Sequence, residues 1–187
     1  MKYISTRGQA MLSGLAPDGG LYVPETWPAA DAGLARPGVP YATVARSVLT
    51  TFAGDALPAG AVEAAVARLV ERFRHEAVTP LIQLDANLWL LELFHGPTAA
   101  FKDLAMQLAA SLMDAALVRA DSRLTLVTAT SGDTGAAAVR AFAGADRIRL
   151  IVLHPEGRVS PVQRLQMTTV AADNVTNLAV RGDFDDC

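Results

Sequence analysis

The chain has 187 residues, of which 51% are hydrophobic and 19% are charged, and its formal net charge is −3. This composition allows a sizeable core and excludes an intrinsically disordered chain. Basic residues are scattered singly, so neither nucleic-acid binding nor attraction to an anionic membrane is expected. The single cysteine, Cys187, excludes an intrachain disulfide and suits a reducing compartment.

The first fourteen residues lack a continuous apolar segment, so we expect no signal peptide. No stretch approaches the roughly 20 apolar residues that a membrane-spanning helix needs. We therefore expect a cytoplasmic protein without a membrane segment.

Residues 1–80 are predicted to form an irregular N-terminal region. A turn over 16–20 contains Asp-Gly, and a short strand-like segment follows at 21–23. A short helix is predicted at about 43–52. A clearer one spans 61–76, where apolar residues recur at steps of three and four. Thr79-Pro80 closes this region, because the residue before proline avoids helical geometry.

Residues 81–187 alternate between apolar runs and helical patterns, which predicts a parallel sheet with right-handed crossovers. This half is an α/β layer structure that ends just after a predicted strand, so it looks incomplete. The strands are predicted at 88–94, 124–127, 149–153 and 175–180, and the helices at 104–118, 136–143 and 160–169.

Lys102 lies near the end of the loop Leu93–Asp103, just before a predicted helix. The helix N-terminus and the neighbouring Phe101 favour a neutral amine, whereas Asp103 opposes them. Lys2 and Lys102 are the only lysines among 16 basic residues, so this loop retains an amine in an arginine-rich chain. Such a lysine forms Schiff bases with carbonyl groups. The alternative is a solvated lysine in the first turn of a helix.

A second loop, Thr128–Gly135, consists of small and hydroxyl-bearing residues between a strand and a helix. Free N–H groups at such a helix start bind anions, so Ser131, Gly132, Asp133 and Thr134 are candidate ligand-binding residues. Capping of the helix by Ser131 or Asp133 explains the composition almost as well. The loop is neither a dinucleotide-binding fingerprint nor a phosphate-binding loop of the Walker type.

A third loop contains Arg158 and Ser160. The arginine suits a phosphate or carboxylate, but a surface charge followed by an N-cap serine is the alternative. No zinc site is predicted, because the three histidines are scattered and Cys187 is terminal. Two alternatives are open for His95 and His154, namely packing against loop backbone and proton transfer. Spacing alone does not exclude a Ser-His-Asp triad, although Ser131 lacks the nucleophile-elbow motif.

With these loops the chain resembles the threonine synthase family, in its bacterial and fungal branch. One departure is Ala99, where the family usually has a larger apolar residue. The resemblance covers almost the whole chain through MKYISTRG at 1–8, LAPDGGLYVPE at 15–25, LELFHGPTAAFKD at 91–103, TATSGDTGAAA at 128–138 and PEGRVSPVQRLQMTT at 155–169.

The resemblance implies a fold-type-II pyridoxal-phosphate (PLP) enzyme, similar to the tryptophan synthase β subunit, here incomplete and with an N-terminal extension. It implies conversion of O-phospho-L-homoserine and water to L-threonine and phosphate. Lys102 would then form the Schiff base with the cofactor, and Ser131 to Thr134 would face the cofactor and the substrate carboxylate. Thr98, Arg158 and Ser160 are candidate substrate ligands.

The family's chain is more than twice as long, and no segment like its Gly/Asn-rich cofactor-phosphate loop occurs in residues 1–187. We therefore expect the isolated chain to be inactive. Two alternatives remain: a non-catalytic remnant or binding module of the same fold, and another fold-type-II enzyme such as a serine or threonine dehydratase. No feature of the sequence predicts an oligomeric state.

Overall fold

The computed structural model describes residues 2–5, 8–9 and 16–187. Most of the first fourteen residues, for which no signal peptide is expected, lie outside the described residues. The chain divides into two compact units, Met1–Ala56 and Leu57–Cys187. Within the described part, no helix is both long enough and apolar enough to cross a bilayer.

The first unit contains a small antiparallel sheet and one α-helix. Strand β1 (Tyr3–Ser5) lies between β2 (Gly8–Gln9) and β3 (Tyr22–Pro24). Helix α1 (Tyr41–Ala53) begins after Pro40 and ends at Gly54, whose positive φ of 52° suits glycine. The strand predicted at 21–23 and the helix predicted at about 43–52 are therefore present. Their ends differ from the prediction by one or two residues. Two short 3-10 helices complete the unit, at Ala32–Ala35 and Gly54–Ala56.

The second unit begins with helix α2 and continues through the α/β part of the chain. Its elements in chain order are α2 (Ala61–Arg72), β4 (Leu81–Asp85), β5 (Leu88–Leu91), α3 (Lys102–Arg119), β6 (Leu124–Ala129), α4 (Asp133–Phe142), β7 (Ile148–Pro155), α5 (Pro161–Thr168) and β8 (Val175–Val180).

Strands β6, β7 and β8 form a parallel sheet with β7 in the centre. The strand–helix alternation from residue 124 onward explains this arrangement, since each crossover helix returns the chain to the same edge. The predicted α/β architecture with a parallel sheet is confirmed. The carboxyl ends of β6 and β7 lie side by side, with Ala129 paired to Leu153.

The strand predicted at 88–94 is shorter than expected and does not belong to the parallel sheet. It is β5, which pairs antiparallel with β4 across residues 86–87. A two-residue connection allows only antiparallel pairing, because parallel strands need a long crossover. Both strands of this hairpin are exposed throughout. The expectation that the 93–103 loop leaves a strand of the parallel sheet is therefore wrong.

The core of the second unit lies between β7 and the helices α3, α4 and α5. Alternate residues of β7 face it, namely Ile148, Leu150 and Val152, each at most 2% exposed. Helix α4 is buried along most of its length, and its alanines let it approach the sheet closely. Helices α2 and α5 flank this layer through contacts with α3 and α4 respectively.

Helix α2 ends at Arg72 rather than near residue 76. Phe73 adopts an extended backbone and is buried, and the Arg74 amide donates to the His95 carbonyl oxygen instead of continuing the helix. Because α2 packs on α3, residues 57–80 fall within the second compact unit. A domain boundary after residue 80 stays a prediction from the sequence.

Candidate functional site

The loop before α3 is held by the second residue of that helix. Asp103 is 0% exposed, and its carboxylate accepts hydrogen bonds of 2.8 Å from both the amide and the hydroxyl of Thr98. A Cβ atom at Gly96 would lie 2.5 Å from the Cβ of Asp103, so only glycine fits there. The Gly-Pro-Thr loop and the start of α3 are therefore packed as one piece.

Lys102 is the first residue of α3, and its amine points to the 128–135 loop. Its Nζ lies 2.7 Å from Oδ2 of Asp133, across 31 residues of chain. The same nitrogen lies 4.3 Å from the centre of the Phe101 ring. The side chains of Lys102 and Asp133 are 28% and 36% exposed, so a small molecule can reach the ion pair.

The carboxylate beside the lysine is thus Asp133 and not its sequence neighbour Asp103. The hydrogen bond from Lys102 is the main cause that lowers the pKa of Asp133 below its ordinary value, while partial burial acts in the opposite direction. The other carboxylate oxygen, Oδ1, accepts from the Thr134 amide at 2.9 Å. One ionised carboxylate therefore joins Lys102 to the first turn of α4.

Thr130 holds the second loop together through hydrogen bonds, and it was not among the residues that the sequence pattern singled out. It is 1% exposed, and its Oγ1 accepts from the amides of Gly132 at 3.0 Å and Gly135 at 2.8 Å. A Cβ at Gly135 would lie 2.5 Å from the Thr130 methyl and 2.6 Å from Sδ of Met167. The signal was a threonine directly after a strand and two residues before glycine, which is a hydroxyl-turn pattern.

Two expectations for this loop need correction. The N-cap of α4 is Gly132, with no side-chain cap, so neither Ser131 nor Asp133 caps the helix. The amides of Gly132 and Gly135 already bond to Thr130, and that of Thr134 bonds to Asp133. These three N–H groups are therefore not free for an anion. Gly132 has a φ of 150°, and a Cβ there would lie 2.1 Å from the Gln163 amide oxygen.

One cavity of about 480 Å³ brings together three of the candidate residues: Thr98, Asp133 and Ser160. Ser160 is the N-cap of α5, as its alternative interpretation predicted, and its hydroxyl accepts from the Gln163 amide at 3.3 Å. The same hydroxyl donates a hydrogen bond to the Gln163 side-chain oxygen at 3.0 Å. Residues lining this cavity are Thr98, Ala99, Ala100, Phe101, Asp133, Ser160, Val162, Gln163 and Gln166.

Arg158 and Ser131 do not line this cavity. The Arg158 amide donates to the Pro155 carbonyl oxygen, and the Ser131 side chain is exposed. His95 lies near the first loop, with its Nε2 2.7 Å from Glu92 Oε2, whereas His154 is buried at the end of β7. No cluster of three or more potential metal ligands occurs in the part of the chain that the structure describes.

These features define an α/β protein with a lysine–aspartate pair and an adjoining cavity beside the carboxyl end of a parallel sheet, the edge where such folds bind small molecules. A family model described as "Threonine synthase N terminus" matches residues 2–69. The chain belongs to the threonine synthase family and corresponds to its N-terminal portion.

Relatives and solved structures agree with this assignment. The threonine synthase of Pseudomonas aeruginosa is 45% identical over 100% of this chain, which covers 42% of that relative. The one from Corynebacterium glutamicum is 40% identical over 100% of the chain and is also covered to 42%. The chain thus spans less than half the length of the curated relatives it matches.

Two crystal structures of the family superpose closely on the whole chain. PLP-bound threonine synthase from Brucella melitensis shows a TM-score of 0.94 and 51% identity, covering 100% of this chain and 42% of that one. Threonine synthase from yeast shows a TM-score of 0.89 and 37% identity, covering 99% of this chain and 41% of that one. The α/β fold therefore matches that of PLP-dependent threonine synthases.

Proposed function

We propose that this chain supplies the PLP-anchoring lysine of an enzyme that converts O-phospho-L-homoserine and water to L-threonine and phosphate. The observation that carries the proposal is the 2.7 Å ion pair between Lys102 and Asp133, which brings the two motif loops together at one accessible point. We further propose that the reaction belongs to threonine biosynthesis in the cytoplasm.

The residues present fit such a cofactor. The Lys102 amine is partly exposed beside an aromatic ring, and a cavity of about 480 Å³ adjoins its partner Asp133. When bound, PLP supplies an electron sink that stabilises negative charge on a substrate carbon. A lysine held by its own helix and faced by a carboxylate is suited to attach a carbonyl group covalently.

The chain's own residues then have distinct tasks. Lys102 Nζ would anchor the cofactor, and as a free amine it would be the base that takes the α-proton of the substrate. Asp133 holds the lysine ammonium in place through Oδ2. Phe101 covers one side of the nitrogen and limits the access of water.

We assign Ser131, Gly132, Asp133 and Thr134 to the face that meets the cofactor and the substrate carboxylate. Three of the nearby amides are bonded within the loop, so anion binding there requires Asp133 to release the Thr134 N–H. Asp133 is acceptor-only when ionised, and it accepts from the Lys102 ammonium and from the Thr134 N–H.

Thr98 and Ser160 are proposed substrate ligands because both line the cavity next to Asp133. Both the hydroxyl proton and the backbone N–H of Thr98 are engaged by Asp103, so Thr98 would contact substrate as an acceptor. Arg158 is proposed to hold the leaving phosphate. Its guanidinium is outside the cavity lining, so this role requires the loop to move toward the substrate.

Covalent trapping tests the anchor directly. The chain is incubated with PLP and reduced with borohydride, and the modified peptide is located by mass spectrometry. Lys102 should carry the pyridoxyl group, and Lys102→Arg should abolish that adduct. Lys2→Arg is the matched control, because Lys2 is an exposed lysine paired with Glu25 and should not be the specific target. An adduct confined to Lys2 or the N-terminus would refute the assignment.

Two rival functions are separated by substrate. Phosphate release from O-phospho-L-homoserine supports a threonine synthase, whereas 2-oxo acid formation from serine or threonine indicates a dehydratase. A non-catalytic remnant of the same fold would form neither product. We expect the isolated 187-residue chain to form little or no threonine, and measurable turnover by it would contradict this expectation.

A further inference from the structure

A second cavity, of about 370 Å³, lies on another part of the same unit and is lined by two arginines. Arg72 comes from the last turn of α2 and Arg140 from the exposed side of α4. Pro97, from the loop before Lys102, forms part of the wall. The remaining lining residues are Ala143 and Val170.

This cavity has positive charge without a matching carboxylate. Among the described residues, none of the ion pairs involves Arg68, Arg72 or Arg140. Partial burial, and then the nearby charge of Arg68, lower the pKa of Arg72. An anion beside Arg72 would offset both of these unfavourable effects.

Gln107 adds an independent sign of a missing acceptor. It is 1% exposed, and its Oε1 accepts a hydrogen bond from Nη1 of Arg72, while its Nε2 has no partner. Flipping the amide does not help, because arginine only donates and would then face the NH₂ group. The Gln107 amide nitrogen thus lacks an acceptor, and its amide oxygen contacts the Arg72 guanidinium, although Gln107 does not itself line the cavity.

We propose that Arg72 and Arg140, with Gln107 bonded to Arg72 behind them, form a binding site for a small oxyanion of the phosphate type, either free phosphate or the phosphoryl group of a monoester. Guanidinium groups present paired donors that match the oxygens of such an anion. Nη1 of Arg72 already donates to Gln107 and, at 3.3 Å, to the Arg140 carbonyl oxygen. The remaining donors of both arginines are available for the ligand.

The site is linked to the lysine loop through α3. Gln107 follows Asp103 by four residues and is buried on the same side of the helix. Asp103 holds Thr98, whose neighbour Pro97 lines the arginine cavity. This inference does not depend on the proposed reaction.

Calorimetric titration tests the site on the chain itself, with inorganic phosphate and methyl phosphate as separate probes and sodium chloride at matched ionic strength as reference. Arg140→Ala should weaken phosphate binding at least about tenfold, because it removes one of two guanidinium groups. Arg181→Ala removes an equally positive residue whose side chain is 93% exposed, and it should bind as the wild type does. Binding of methyl phosphate as well identifies a phosphoryl-group site, and binding of phosphate alone identifies a free-phosphate site.

Phosphate could also bind near Lys102, so the location needs its own readout. Lys102→Ala should leave phosphate affinity unchanged, and the side-chain amide signals of Gln107 should shift on titration in ¹H–¹⁵N spectra. A Gln107→Met variant identifies those signals. Unchanged affinity in Arg140→Ala, loss of affinity in Lys102→Ala, or an equal response to chloride would each overturn the proposal.

Discussion

Asp103 and Thr98 are joined by two hydrogen bonds of 2.8 Å, which run from the amide and the hydroxyl of one residue to the two carboxylate oxygens of the other. Because Asp103 is the second residue of α3, the loop that precedes Lys102 is attached to the helix that Lys102 begins. The lysine backbone is thus held from both sides. Its amine remains free to face Asp133.

Removing this attachment should destabilise the second unit. Asp103→Ala leaves two buried donors of Thr98 without an acceptor, which costs about 1–3 kcal/mol per unsatisfied group in comparable cases. Urea unfolding monitored by circular dichroism measures the loss. Thr98→Val removes the hydroxyl alone, and a double-mutant cycle should give a coupling energy well above 0.5 kcal/mol. Additive effects of the two changes would show that the pair does not hold the loop.

Gly135 is required by close packing. Alanine there would place a Cβ 2.5 Å from the Thr130 methyl and 2.6 Å from Met167 Sδ. We expect Gly135→Ala to cost about 1–3 kcal/mol of unfolding free energy through overpacking. Thr130→Ser removes the methyl but keeps the hydroxyl, so the double variant should recover part of the loss. If the double variant recovered no stability, the steric clash would not involve the Thr130 methyl.

The hydroxyl of Thr130 should contribute separately from its methyl. Thr130→Val keeps the shape but removes the acceptor for the amides of Gly132 and Gly135, so we expect a loss of about 1–3 kcal/mol. Amide hydrogen exchange at these two glycines should speed up. Thr125→Val on the exposed edge of β6 is the matched control and should change stability by less than about 0.5 kcal/mol.

The ion pair of Lys102 and Asp133 should give a stability term that depends on pH. The folded-state pKa of Asp133 is lowered from 3.8, so the contribution is present above that value and is lost as pH falls through the lowered one. Both groups are partly exposed, which limits the term to about 1 kcal/mol.

The comparison is made between wild type and Asp133→Asn by urea unfolding from pH 7 downward. The difference in unfolding free energy should be largest near neutrality and shrink below about pH 3.8. Asp121→Asn serves as control, since its carboxylate is 91% exposed and should matter less. A difference that stays constant across this range would show that the asparagine acts through packing and not through charge.

Local patterns predicted most of the α/β half. The strand at 175–180 has the predicted bounds, and α3 and α5 lie within two residues of prediction. These segments were recognisable because apolar periodicity and flanking turn residues are local properties. The exposed hairpin of β4 and β5 was missed. Its strands are connected by residues 86–87 alone, and they lack the alternation of buried and exposed residues that marks a half-buried strand.

The sequence by itself determined that Lys102 stands at a helix start, that the 128–135 loop follows a strand of a parallel sheet, and that both loops resemble those of one enzyme family. Only the tertiary structure decided which carboxylate meets the amine. Consecutive helical residues point about 100° apart, so Lys102 and Asp103 face different surroundings. Asp103 is therefore buried against Thr98, while Asp133, 31 residues further along, reaches the lysine.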